Sequence, residues 1–218
     1  MKIYPIESGP VATFGYLVTD SETKKAVLVD APKDCAEPFL KVLKDKNLEL
    51  EKILLTHSHW DHTADAAEIQ RATKVPIYLH KDDEYRAIEP GKYLGWKLPF
   101  EIEAIKIDEF LKEGDVIECG RWKFDVIHTP GHTEGGVCFI DHGMKIAIVG
   151  DTLFQGSVGR TDLPGGDTET LLKSIHQKLL KLPDDYAVLP GHGEMTTIGE
   201  ERASNPFLKP EFLQGGGF

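Results

Sequence analysis

Four residues crowded between positions 57 and 62 could do chemistry together: His57, His59, Asp61 and His62, in the stretch LLTHSHWDHTAD. Nine histidines in 218 residues make a chance pair unremarkable, but three of them with a carboxylate in six positions, straight after an apolar run, are not. Imidazole and carboxylate are borderline-to-hard ligands that suit zinc, iron or manganese. In extended backbone His57 and His59 project to the same side, because side chains alternate with period two. They can therefore grip one cation. Asp61 and His62 follow where the chain turns into a helix and can face a second. No cysteine lies nearby, which excludes a cysteine-rich structural zinc knot.

Three further residues repeat the pattern of a ligand placed just beyond an apolar run with glycine beside it: His132 in HTPGHTEGG, Asp151 in IVGDTLF and His192 in LPGHGE. Strand ends are where layered folds collect functional side chains, and glycine lets the backbone crowd around a site. Together the seven fill two coordination spheres. His57, His59 and His132 would hold one cation; Asp61, His62 and His192 would hold the other; Asp151, with two oxygens, can bridge them. Two divalent cations outweigh the two aspartates, and that net charge lowers the pKa of water held between them. The expected cofactors are two divalent metal ions, zinc first, with iron or manganese also suited. Asp61 is expected to orient the attacking water as well as to bind metal. His80 and His176 read as exposed, His142 as part of a turn, and His128 as a packed strand-end residue.

These side chains need elements to position them. Short β-branched or apolar runs predict strands at 15–19, 26–30, 52–56, 76–79, 124–127, 137–140, 145–149 and 187–189. Helical spacing predicts Ala36–Lys46, Ala64–Ala72 capped by Thr63, and Thr168–Lys181 capped by Asp167 or Thr168. Strands mixed with helices along the whole chain indicate an α/β layered fold, and nothing marks a linker, so residues 1–218 are expected to form one domain. The GGGF tail is the one low-complexity run, and its composition assigns it no role. A net charge of -11 disfavours nucleic acid. No apolar run approaches the roughly 20 residues of a membrane span. The N-terminus lacks a signal core, and an odd count of three cysteines points to reduced thiols, so the expected compartment is the cytoplasm.

THSHWDH, GHT, GDT and GHG, in this order, resemble the metallo-β-lactamase superfamily over nearly the whole chain, up to His192. The resemblance implies an αβ/βα four-layer sandwich of two mixed sheets, with the metals at one edge, and it implies the same seven ligands. Within the superfamily, GDTLFQGSVGRTDLPGGD (150–167) and TTIGEERASNPFL (196–208) resemble short forms of the glyoxalase II-like group. Only 25 residues follow Gly193, against a C-terminal helical domain in the long forms. The implied activity is hydrolysis of a small-molecule thioester such as hydroxyacylglutathione. β-Lactamases place a cysteine where Asp151 stands, so the resemblance implies no antibiotic hydrolysis. Arg160 matches a glutathione-contacting lysine of the group, while Asp162 replaces its tyrosine. Arg160 could take a carboxylate bidentately or pair with Asp162 or Asp167 to brace its loop. The alternatives are a persulfide dioxygenase with mononuclear iron on His57, His132 and Asp151, suggested by GRTD at 159–162, then a phosphodiesterase or a non-catalytic metal-binding protein.

Overall fold

A computed structural model of the chain describes residues 1–94 and 96–209; the GGGF tail lies outside them. Fourteen strands and six α-helices follow in chain order among the described residues: β1 (Lys2–Ser8), β2 (Thr13–Asp20), β3 (Lys25–Val29), α1 (Ala36–Lys46), β4 (Glu49–Leu54), α2 (Trp60–Thr63), α3 (Ala66–Thr73), β5 (Ile77–His80), α4 (Glu84–Ile88), β6 (Glu109–Leu111), β7 (Val116–Cys119), β8 (Trp122–His128), β9 (Val137–Asp141), β10 (Ile146–Gly150), β11 (Leu153–Phe154), β12 (Ser157–Val158), α5 (Thr168–Gln177), β13 (Ala187–Pro190), β14 (Thr196–Thr197) and α6 (Ile198–Ser204). The first six strands form one sheet in the order β1-β2-β3-β4-β5-β6, and a second runs β14-β13-β10-β9-β8-β7. Both are mixed: β1–β3 are antiparallel, β3–β6 parallel, and β10 runs parallel to β13 but antiparallel to β9. None of the helices is long and apolar enough to cross a membrane.

Period-two alternation sorts the side chains into layers. Tyr16, Val18, Val27 and Val29 pack inward against Phe124, Val126, Phe139 and Ile148 of the opposite sheet. Their neighbours Leu17 and Leu28 turn outward to Phe39 and Leu43 of α1 and Ile69 of α3. On the far face Ile140, Ala147, Val149 and Val188 meet Leu171, Leu172 and Ile175 of α5. Strands buried on both faces read as continuous apolar runs, which is why they stand out in the sequence. The result is the αβ/βα sandwich of two mixed sheets that the family resemblance implies.

Helix α1 matches its expected span and stops where Asn47 adopts a left-handed conformation (φ 51°). The other two helices differ from expectation. Thr63 caps nothing: it sits inside α2, where its hydroxyl donates to the His59 carbonyl, and Asp65 precedes α3 instead. Asp167 does cap α5, accepting from the Thr170 amide, but α5 ends at Gln177 and the chain tightens into a 3₁₀ turn at Leu179–Lys181. The apolar stripe runs through both, so periodicity alone cannot mark the change.

Parallel pairing matters for position. The chain leaves β4 toward His57, β10 toward Asp151 and β13 toward His192 at one edge of the sandwich, and the loop after β8 brings His132 to the same edge. The two sheets are stitched there by Val137 N–H to the Thr56 carbonyl, at 2.8 Å.

Candidate metal centre

All seven expected ligands meet. His57, His59 and His132 offer ring nitrogens within 4.8 Å of one another; a carboxylate oxygen of Asp61 lies as close to nitrogens of His62 and His192, and an oxygen of Asp151 joins His57 and His62 in a third such group. Asp151 lies between the two triads. Its Oδ1 is 3.2 Å from His62 Nε2, and its Oδ2 is 3.5 Å from both His132 Nε2 and His192 Nε2. Six of the seven are buried or nearly so, and His192 keeps about a quarter of its side chain exposed.

Hydrogen bonds on the outer side of the rings decide which nitrogen points inward. His62 Nδ1 donates to Asp30 Oδ2 at 2.8 Å. His132 Nδ1 donates to the Arg160 carbonyl at 2.7 Å, and His192 Nδ1 to the Val11 carbonyl at 3.2 Å. The Thr56 hydroxyl donates to Asp30 Oδ2 and so must accept from His57 Nδ1 at 3.1 Å. In all four rings the proton is fixed on Nδ1, and the Nε2 lone pair faces the centre. His59 does the reverse, with Nδ1 inward, 2.8 Å from His132 Nε2. With protein atoms alone those two nitrogens must share one proton; a cation would accept both lone pairs.

Buried polar atoms normally find partners. Here His57 Nε2, His62 Nε2 and Asp151 Oδ1 are buried and make no hydrogen bond. Converging imidazole lone pairs and carboxylate oxygens, with no donor to satisfy them, are what divalent cations require. The donor set fits them.

Charge balance says the same. Burial works to raise the Asp61 carboxyl, but His62 and the hydrogen bond from His192 outweigh it and hold it down to about 2. Asp151 is likewise pulled far below the carboxylate range against its burial, chiefly by His62 and His192. Burial, with neighbouring rings adding to it, lowers His57, His59 and His132. For His62 burial also pulls downward, yet Asp151, Asp61 and Asp30 overcome it and raise the ring's affinity for protons. His192 rises to about 10 against its own burial, through its bonds to Asp151 and Asp61. With protein atoms alone a second proton, on Nε2 of His62 and of His192, takes up the inward lone pair that a cation would otherwise use.

Glycine beside the ligands is explained at Gly191. A methyl group there would come within 2.2 Å of Asp151 Oδ1 and 2.5 Å of the His62 ring. Gly159 is equally confined, against the Asp151 carbonyl.

Sequence reading overlooked the residues that hold the ligands. Asp30, buried at the end of β3 with φ 59°, accepts from His62, from the Thr56 hydroxyl and from the Thr56 amide. It ends the apolar run AVLVD as Asp151 ends AIVGD, a signal that was present. Thr13 donates to Asp61 Oδ2 at 2.9 Å. Asp83, fully buried, accepts from Ser58 N–H and hydroxyl, the Thr133 hydroxyl and Gly135 N–H, tying the loop of His57–His62 to the loop of His132. Arg86 pairs with Asp83 at 3.4 Å and Glu134 at 2.7 Å and donates to the Pro164 carbonyl. Nothing in KDDEYR distinguishes Asp83 from Asp82, so only the fold reveals it.

His80 is not the exposed residue expected: it is half-buried, its ring stacked 4.1 Å from that of His128. His176 is likewise half-buried, not exposed. His128 stays away from the centre, bonding the Glu134 carbonyl, and His142 sits in the turn expected for it.

A cleft of about 210 Å³ opens onto the seven-residue cluster, walled by Val11, His59, Trp60, Asp61, Leu94, Trp96, His132, Asp151, Arg160, Leu163 and His192. Arg160 reaches the cleft, but its guanidinium is forked onto Asp162 at 2.7 and 2.8 Å. Of the two partners expected for Arg160, the loop-bracing one is in place.

Residues 8–192 match the model of the metallo-beta-lactamase superfamily. A hydroxyacylglutathione hydrolase, GloC, of Haemophilus influenzae is 40% identical over 215 residues, covering 93% of this chain and 97% of that protein. Among solved structures, a B3 metallo-beta-lactamase, BLEG-1, superposes with a TM-score of 0.87 at 37% identity, over 95% of this chain and all of that one. TTHA1623 in a di-iron-bound form gives 0.83 at 37% identity, over 94% of this chain and all of that one. With a family model matched over most of its length and a sandwich architecture shared with these structures, the chain belongs to the metallo-beta-lactamase superfamily.

Proposed function

We propose that this metal-dependent hydrolase cleaves thioesters, with two divalent cations held as His57–His59–His132 and Asp61–His62–His192 and with Asp151 between them. The observation that carries the reading is the set of inward lone pairs, fixed by outer hydrogen bonds, at the floor of an open cleft. A closed structural site would have no such opening. The 40% identical hydroxyacylglutathione hydrolase supports the thioester as substrate. Zinc suits the donors; the di-iron form of a relative makes iron the other candidate.

When bound, the cations lower the pKa of water and polarise the substrate carbonyl. The protein supplies orientation. Asp61, anchored by Thr13, holds the attacking water by accepting its hydrogen bond, and His132 and His59 fix the floor on which the carbonyl rests. The water oxygen adds to the carbonyl carbon and the carbon–sulfur bond breaks. Sulfur departs with the bond pair and one water proton, and the new carboxylic acid releases the other. A thiolate is a good leaving group, so the step does not depend on a general acid. Arg160, exposed at the cleft wall, would guide a carboxylate of the thiol carrier only by giving up Asp162.

Metal analysis of purified protein with S-lactoylglutathione turnover tests the proposal. About two equivalents of metal and thiol release are expected; metal-replete protein inert to thioesters would overturn it. The likeness to BLEG-1 favours a second reading, β-lactam cleavage. A chromogenic cephalosporin in the same assay separates the two. Oxygen uptake with glutathione persulfide and a single iron would instead identify the dioxygenase chemistry.

A further inference from the structure

The cleft wall beside the metal-ligand cluster is apolar: Val11 on one lip, Trp60 between two ligands, Leu94 and Trp96 from the stretch between α4 and β6, and Leu163. Val11 and Trp96 remain about half exposed, at 47% and 49%. Isolated exposed apolar residues need no explanation, but two lining the same cleft as the candidate metal ligands form a patch with a purpose. Trp60 is held by Phe100, ring centroids 5.6 Å apart, so the wall is braced. Arg160 is the one arginine or lysine among the described lining residues, and Asp162 already fills its fork.

From this wall we infer that the enzyme selects thioesters whose acyl chain carries a bulky apolar group, best an aromatic ring, over those of small polar acids. The inference rests on the thioester reading above. A carbonyl placed against the cluster has two substituents. The sulfur side begins with a methylene for any cysteine-derived carrier, and a polar carrier such as glutathione gains nothing from tryptophan and leucine. The acyl side begins at once with the group that differs between substrates. Seating that group on Trp96, Leu94 and Val11 removes apolar surface of both partners from water, and the polar carrier stays at the open mouth.

The test compares S-mandeloylglutathione with S-lactoylglutathione, which differ by a phenyl ring in place of a methyl, using metal-replete protein. The expected ratio of kcat/KM favours mandeloyl by about tenfold or more, the range an apolar pocket gives for such an addition. Trp96→Ala and, separately, Leu94→Ala bring the ratio down toward one; both changes lie at the cleft wall, and metal content and circular dichroism check the fold. A wild-type preference for lactoyl, or a ratio that neither substitution moves, overturns the inference while leaving thioester hydrolysis standing. No hydrolysis of either compound overturns the thioester reading and this inference with it.

Discussion

Asp61 Oδ2 accepts the Thr13 hydroxyl at 2.9 Å and faces His192 Nε2 at 3.1 Å, and the proposed mechanism gives this carboxylate two roles, ligand and water anchor. Asp61→Asn keeps the volume and loses the charge. It should lower kcat by ~10²–10⁴-fold with an unchanged circular-dichroism spectrum; wild-type turnover would remove Asp61 from the mechanism. Asp30 acts one step further out. With Asp30→Ala, His62 loses the acceptor that fixes its tautomer, and metal affinity should fall by about 10–100-fold in a chelator competition. Proton competition also differs between the two ends of the centre. Burial lowers His57, His59 and His132, which stay neutral and ready as pH falls. Asp151 and Asp61 raise both His62 and His192, so a cation at their end must displace protons. Affinity there should weaken ~tenfold per pH unit for each proton displaced. Equilibrium dialysis from pH 8 to pH 5 should therefore lose one equivalent of metal before the other. A single concerted loss of both would contradict the unequal protonation.

At the scale of elements, the centre depends on loops that no ligand holds by itself. Asp83, in the 3₁₀ turn Lys81–Asp83 after β5, carries the join between the His57–His62 loop and the His132 loop, and Arg86 of α4 extends it to the loop at Pro164. Removing the carboxylate leaves Ser58 N–H and Gly135 N–H without their acceptor and takes from the buried Arg86 guanidinium one of its two carboxylate partners. Asp83→Ala should cost about 3–5 kcal/mol in urea unfolding and lower metal retention as well, although Asp83 touches none of the seven ligands. Unaltered stability would mean that the loops hold their shape without it.

Across the whole molecule the two sheets must stay in register for their edges to share one site. Far from the metal centre, Asp20 at the end of β2 accepts from the amide, Nε and Nη2 of Arg121 in the turn between β7 and β8. That bonding holds the Asp20 carboxyl well below the usual carboxylate range. A depressed folded-state pKa contributes stability that is fully present above the unfolded value, near ~3.9, and is lost as pH falls through the folded value. The melting temperature of Asp20→Asn should accordingly lie below that of wild type at pH 7, and the gap should shrink below about pH 4. A gap independent of pH would assign the effect to packing.

The sequence by itself determined the chemistry of the centre. His57, His59, Asp61 and His62 are local, and His132, Asp151 and His192 each follow an apolar run, because strands buried on both faces must be apolar and their loops must not. Strand runs mixed with helical spacing also indicated an α/β layered fold, while the two-sheet sandwich followed only from the family resemblance. Short edge strands such as β6 and β14, with few residues and one neighbour, leave too weak a pattern to read. Only the tertiary structure decided which carboxylates serve the ligands from behind, which nitrogen of each ring turns inward, and that Asp162 occupies the fork of Arg160. Those outcomes depend on partners as far apart as Asp30 and His62, or Val11 and His192, and chain proximity carries no information about contacts made across two sheets.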